Sequence, residues 1–147
     1  MNQQGIIMVK IEERRKKLLQ AASKAIDYAY VLWGFGVGAA VLAEDGQIYE
    51  GCNVESWVSG LGVCAERNAI NHAVLHGNRK INEVAIVTDI GSRNESRPCG
   101  ACLQYIYDFA ENSKVKVVMA KVENGKILFD TVKVKTLEEL LPFPFRK

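Results

Sequence analysis

Arg97-Pro98-Cys99-Gly100-Ala101-Cys102 sets two cysteines three residues apart, directly behind a proline. Proline suits the first position of a helix, where its missing N–H loses no bond. A helix opening at Pro98 and running to about Ala110 puts Cys99 and Cys102 in its first turn, on one face. Zinc–sulfur bonds of about 2.3 Å in a tetrahedron separate two sulfurs by roughly 3.8 Å, which such a pair can span. The helix N-terminus also favours thiolate over thiol, through its dipole and its free N–H groups. A Cys-x-x-Cys pair at a helix start describes a redox centre equally well, so a third ligand has to decide.

Cys64 is the candidate. It follows Gly60-Leu61-Gly62 at the expected start of another helix, VCAERNAINHAVLHG (63–77), which Gly77 closes. Two helix N-termini facing one cation would gather Cys64, Cys99 and Cys102 and leave a fourth position open. Three protein ligands plus water is the catalytic form of zinc, and four is the structural form. Glu66, two residues beyond Cys64, is then placed to move protons to and from the bound water. Zinc with three thiolates carries a formal negative charge, which the two helix dipoles offset in part. Arg67, at i+3 from Cys64, is expected to offset more by donating to the thiolate. A rival reading joins His72 and His76, four residues apart on one helix, to Cys99 and Cys102 in a closed structural site. Cys52 reads as a small buried strand residue.

The rest of the chain fits one domain, residues 1–147, with a net charge of +2 and 48% hydrophobic residues. The basic run Arg14-Arg15-Lys16-Lys17 reads as a solvated helix face rather than a nucleic-acid surface. No apolar run approaches the roughly 18 residues of a membrane span, and no secretory signal pattern opens the chain. A cytoplasmic protein with reduced thiols is the expectation. A 3.6-residue stripe of Ile11, Leu18, Leu19, Ala22, Ile26, Ala29 and Tyr30 predicts a helix over about 11–30. Strands are expected over 35–43 and 47–54, around Glu44-Asp45-Gly46, and over 83–89. Two more flank Glu123-Asn124-Gly125, before a capping box at Thr136-Leu137-Glu138-Glu139. The order α-β-β-α-β-α-β-β-α points to a three-layer α/β/α sandwich around a mixed five-stranded sheet.

Together these motifs resemble the cytidine deaminase family of zinc hydrolases. Cys64-Ala65-Glu66-Arg67 and Pro98-Cys99-Gly100-Ala101-Cys102 match its metal motifs. Phe35-Gly36-Val37-Gly38-Ala39-Ala40 resembles its Phe-Pro-Val-Gly-Ala-Ala strand, and Gly51-Cys52-Asn53-Val54-Glu55 its Asn-x-Glu segment. Leu140-Leu141-Pro142-Phe143-Pro144-Phe145 resembles its Leu-Leu-Pro-x-x-Phe ending. The resemblance covers about residues 35–145. It implies one zinc per chain on Cys64, Cys99 and Cys102, and Glu66 as the proton carrier in hydrolysis of cytidine or deoxycytidine to the uracil nucleoside and ammonia, a step of pyrimidine salvage. It implies that Asn53 and Glu55 bind the ribose hydroxyl, that Phe35 and Phe145 pack on the base, and that Ala65 belongs to the substrate site. It also implies a homotetramer in which Phe145 reaches a neighbouring subunit's site.

Departures from the family pattern fall at Tyr30-Val31-Leu32-Trp33-Gly34, Ser56-Trp57-Val58-Ser59, Arg97 and Leu103. They bear on which nucleoside is accepted. Two alternatives stand beside cytidine: another aminopyrimidine nucleoside such as blasticidin S, and a zinc-stabilised interaction protein without catalysis. Glu66 speaks against the latter, since a structural knot has no need of it. The near-neutral charge and the lack of a basic surface interleaved with aromatics speak against a nucleic-acid polymer.

Overall fold

A computed structural model describes residues 3–93 and 95–146, with only the backbone of 3–12. The elements in order are α1 (Gln3–Ile26), β1 (Val37–Ala43), β2 (Ile48–Cys52), α2 (Ala65–Leu75), β3 (Ile81–Asp89), α3 (Gly100–Phe109), β4 (Lys116–Glu123), β5 (Lys126–Thr136) and α4 (Leu137–Leu140). The five strands form one mixed sheet in the order β2-β1-β3-β4-β5. β3 and β4 run parallel, and every other neighbouring pair is antiparallel.

Alternation along the strands sends side chains to two faces, and each face is covered by helix. On one, Leu18, Leu19 and Ala22 of α1 pack on Ala40, Ala85, Val87, Val118 and Ala120. On the other, Ala65, Ala69, Ile70 and Ala73 of α2, with Leu103 and Ile106 of α3, pack on Val41, Val84, Ile86, Val117 and Met119. Burying the leucine, isoleucine, valine and methionine side chains among them contributes about 1.5–3 kcal/mol each, so the two cores hold the three layers together. Leu103, a departure from the family pattern, is spent in that core.

Two glycines set the depth of helix packing. A Cβ on Gly38 would meet the Ala22 carbonyl oxygen at 2.0 Å, and one on Gly51 would meet the Ala69 nitrogen at 2.3 Å. α1 therefore lies on β1, and α2 on β2, only because these positions carry no side chain. The second contact matters most, because α2 carries Glu66.

α1 ends four residues earlier than its stripe predicts. Tyr30 N–H donates to the Asn53 carbonyl at 3.0 Å, and Tyr30 bridges Val54 in parallel fashion. Strand-like pairing beyond β2 thus overrides helical periodicity, leaving Tyr30 51% exposed. The side chain of Ile11 lies outside the described residues. The basic run is not simply solvated either: Arg15 Nε and Arg14 Nη2 meet the buried Glu83 carboxylate at 2.9 and 3.4 Å. Pro98 is not the first residue of α3. It lies buried just before Cys99, which is the N-cap.

Candidate active site

α2 and α3 begin at the same place, above the carboxyl ends of the parallel strands β3 and β4. Cys64 is the N-cap of α2 and Cys99 the N-cap of α3, both with extended backbone and no side-chain capping bond. Their sulfurs are thus free to face a ligand rather than their own helix. Cys102 lies in the first turn of α3 and is buried. The three sulfurs lie within 4.8 Å of one another, the one metal-competent grouping among the described residues.

The histidine reading is overturned. His72 Nδ1 lies 2.9 Å from the Glu50 carbonyl and His76 Nδ1 2.9 Å from the His72 carbonyl. Both rings stack around Tyr49, with centroids 5.0–5.2 Å apart. They complete an aromatic cluster at the far end of α2. Cys52 is half-buried rather than buried, and its carbonyl accepts from Asn68 Nδ2 at 2.8 Å.

Electrostatics at the cysteines favour a cation. The Cys64 thiol is lowered to about 5, first by a hydrogen bond from Cys102 and then by the Arg67 guanidinium. Cys102 is correspondingly held high by its bond to Cys64 and by burial. The pair shares a proton that a soft cation would displace. Arg67 Nη2 lies 3.7 Å from Cys64 Sγ, as the charge argument requires, and Arg67 Nε is buried without a hydrogen-bond partner. Three sulfurs, two helix N-termini and a guanidinium form a donor set and a countercharge that fit zinc.

A cavity of about 250 Å³ opens on this cluster, lined by Phe35, Asn53, Glu55, Ala65, Glu66 and the three cysteines. Glu66 is 5% exposed. Its carboxyl is raised to about 7, chiefly by burial and secondarily by the charge on Cys64. Phe35 forms a wall of the cavity rather than part of the core, and Arg97 stands at its edge, paired with Glu95.

Asn53 and Glu55 do more for the backbone than the sequence suggests. Asn53 Oδ1 accepts from Val37 N–H at 2.7 Å, and its Nδ2 donates to the Phe35 carbonyl at 2.8 Å. One N–H and one lone pair are left for a ligand. The Glu55 carboxylate accepts from the N–H groups of Leu32, Trp33 and Gly34 at 2.7, 2.6 and 3.0 Å. The Trp33 and Leu32 bonds hold its pKa below the ordinary 4.5. Of the roughly four acceptor positions of a carboxylate, one remains.

Phe145 is not brought to this cavity. It is 77% exposed on a separate groove, its backbone N–H and carbonyl both bonded to the Gln104 amide. Trp33 and Trp57 meet edge to face with centroids 5.0 Å apart, beside Glu55. Sequence reasoning named Gly34 only within a departure from the family pattern, and missed Thr88 and Ser96 in the cavity lining. A Cβ on Gly34 would lie 2.8 Å from Glu55 Oε1, a contact no local pattern announces. Thr88 left a signal, the one hydroxyl in an otherwise apolar stretch of β3.

Sulfur donors from two helix starts and a buried carboxyl, at the carboxyl end of a parallel strand pair, define an α/β protein built around a metal centre. The family model described as "Cytidine and deoxycytidylate deaminase zinc-binding region" matches residues 12–129. The chain is 38% identical over 133 residues to a cytidine deaminase of Sporosarcina psychrophila, covering 90% of this chain and 91% of that one. It is 29% identical over 143 residues to a blasticidin-S deaminase of Bacillus cereus, covering 93% and 96%. The crystal structure of cytidine deaminase from Burkholderia pseudomallei superposes with a TM-score of 0.75 at 33% identity, covering 88% of this chain and 98% of that one. The chain belongs to the zinc-binding cytidine and deoxycytidylate deaminase family.

Proposed function

We propose that the protein is a zinc-dependent hydrolase that deaminates cytidine and deoxycytidine to uridine and deoxyuridine with release of ammonia. The observation that carries this reading is Glu66, buried in the cavity wall beside three convergent cysteine sulfurs. Cys64, Cys99 and Cys102 would hold the zinc, and the metal when bound would supply Lewis-acid activation of the attacking water. Glu66 takes the proton of that water and delivers it to the ring nitrogen, which makes the amino-bearing carbon electrophilic. The water oxygen bonds to that carbon. Glu66 then takes the remaining proton of the added hydroxyl and gives it to the amino nitrogen, so that the C–N bond breaks, ammonia leaves and the ring carbonyl forms. A carboxyl raised to about 7 by burial can both accept and give a proton near neutrality. Arg67 moderates the charge of the thiolates from outside the cluster.

Phe35 and Ala65 shape the wall against the base, and the remaining polar positions of Asn53 and Glu55 face the ribose hydroxyl. A polar site of this kind rejects analogues that leave its groups unpaired. The whole chain, 1–147, acts as one domain in this reading. Four chains assemble with Phe145 reaching a neighbour's cavity, which accords with its distance from its own. No helix among the described residues is long and apolar enough to cross a membrane. A cytoplasmic location accords with four unpaired cysteines.

Turnover of cytidine, deoxycytidine, cytosine, the monophosphates and blasticidin S, followed by ultraviolet absorbance, tests the reading. Cytidine and deoxycytidine are expected to be consumed fastest. Zinc-loaded protein inert toward every member would falsify it. Blasticidin S turned over in preference to both would move the assignment to the second substrate, to which a 29% identical relative lends its weight.

A further inference from the structure

On the cavity side of the parallel pair, β3 contributes Val84 and Ile86 and β4 contributes Val117 and Met119 to one core. The next register partners on that side are Thr88 and Lys121. A hydroxyl at the end of an apolar stripe costs free energy unless it is bonded, and here the bonding has a direction. Lys121 Nζ, which can only donate, lies 2.9 Å from Thr88 Oγ1. Ser96 Oγ has a single proton and gives it to the Ala120 carbonyl at 2.7 Å. The 2.7 Å contact between Thr88 and Ser96 must therefore run from the Thr88 hydroxyl to the Ser96 oxygen. Lys121 also donates to the Asp89 and Ser92 carbonyls at 3.5 and 3.0 Å, so the ammonium holds residues 89–92 directly and reaches Ser96 through the Thr88 hydroxyl.

Ser96 is the residue in need of holding. Its φ is +60°, in the left-handed region that side chains other than glycine seldom occupy. It is 1% exposed and stands three residues before Cys99, with only Arg97 and the buried Pro98 between. The conformation at Ser96 thus sets the direction in which Cys99 approaches Cys64 and Cys102.

We propose that Lys121, Thr88 and Ser96 are positioning residues of the metal centre: their one-way chain of hydrogen bonds clamps Ser96 in its left-handed conformation and so holds Cys99 in place. The clamp rests on the assignment of zinc to the three cysteines.

The test is the rate at which zinc-loaded protein loses metal to a chromogenic chelator. Thr88→Val, which keeps shape and removes the hydroxyl, is expected to lose zinc about tenfold faster, the low end for groups that orient metal ligands. Adding Ser96→Gly, which makes the left-handed conformation free of strain, is expected to bring the double variant back to within about threefold of the parent. Retention by Thr88→Val equal to the parent's, or no recovery in the double variant, overturns the clamp while leaving the zinc assignment intact. A parent that holds no zinc overturns both. Should Thr88→Val not fold, Lys121→Met takes its place with the same two arms and the same outcomes.

Discussion

Glu66 has almost no contact with solvent, yet it stands where a charge has to move. Burial pushes its carboxyl toward neutrality, and the thiolate beside it pushes the same way. Glu66→Gln keeps the volume and removes the exchangeable proton, so it is expected to retain zinc and fold while turnover falls by about 10²–10⁴-fold. Measured zinc content together with cytidine turnover checks this, and loss of zinc in the variant would make Glu66 a ligand instead. The residues of this centre that were legible in the sequence are those fixed by local spacing. Cys99 and Cys102 share a helical turn, and Arg67 reaches Cys64 because i and i+3 share a helix face. The clamp was not legible, because Lys121 and Thr88 are 33 residues apart and meet only through the parallel register of β3 and β4.

At the scale of elements, most boundaries followed from periodicity and turn chemistry, and the exceptions have physical causes. The capping box at Thr136 forms with both bonds in place. α1 stops short of its stripe because the backbone from Tyr30 onward finds partners beside β2. The segment 32–34 belongs to no helix or strand and is ordered largely by Glu55. Because that carboxylate's pKa is depressed in the folded state, its hold on the segment is complete above pH 4.5 and is lost as pH falls through the lowered value. The chain's two tryptophans, Trp33 and Trp57, both report on this segment. Tryptophan fluorescence is therefore expected to show a transition below pH 4.5 before the helical circular dichroism changes. Glu55→Gln should lack that step, and identical titrations of parent and variant would contradict the assignment.

At the scale of the molecule, the three layers were legible from the order of elements, whereas the surface was not. Tyr30, Trp33, Phe35, Val54, Trp57 and Leu61 are all exposed in the segments around the cavity mouth, with Trp33 at 68% and Trp57 at 72%. This exposed apolar area is what the proposed tetramer would cover. Sedimentation is expected to find four chains, and Trp57→Glu to shift the population toward smaller species; a monomeric parent would contradict the tetramer. The metal centre is itself a property of the whole, since two helices and the sheet beneath them bring its parts together. Anomalous diffraction at the zinc edge, on crystals of the zinc-loaded protein, reads that convergence without reference to activity. One peak is expected about 2.3 Å from each of the Cys64, Cys99 and Cys102 sulfurs, with the Glu66 carboxyl nearby but uncoordinated. A peak elsewhere, or a fourth side chain bound to the metal, would contradict it.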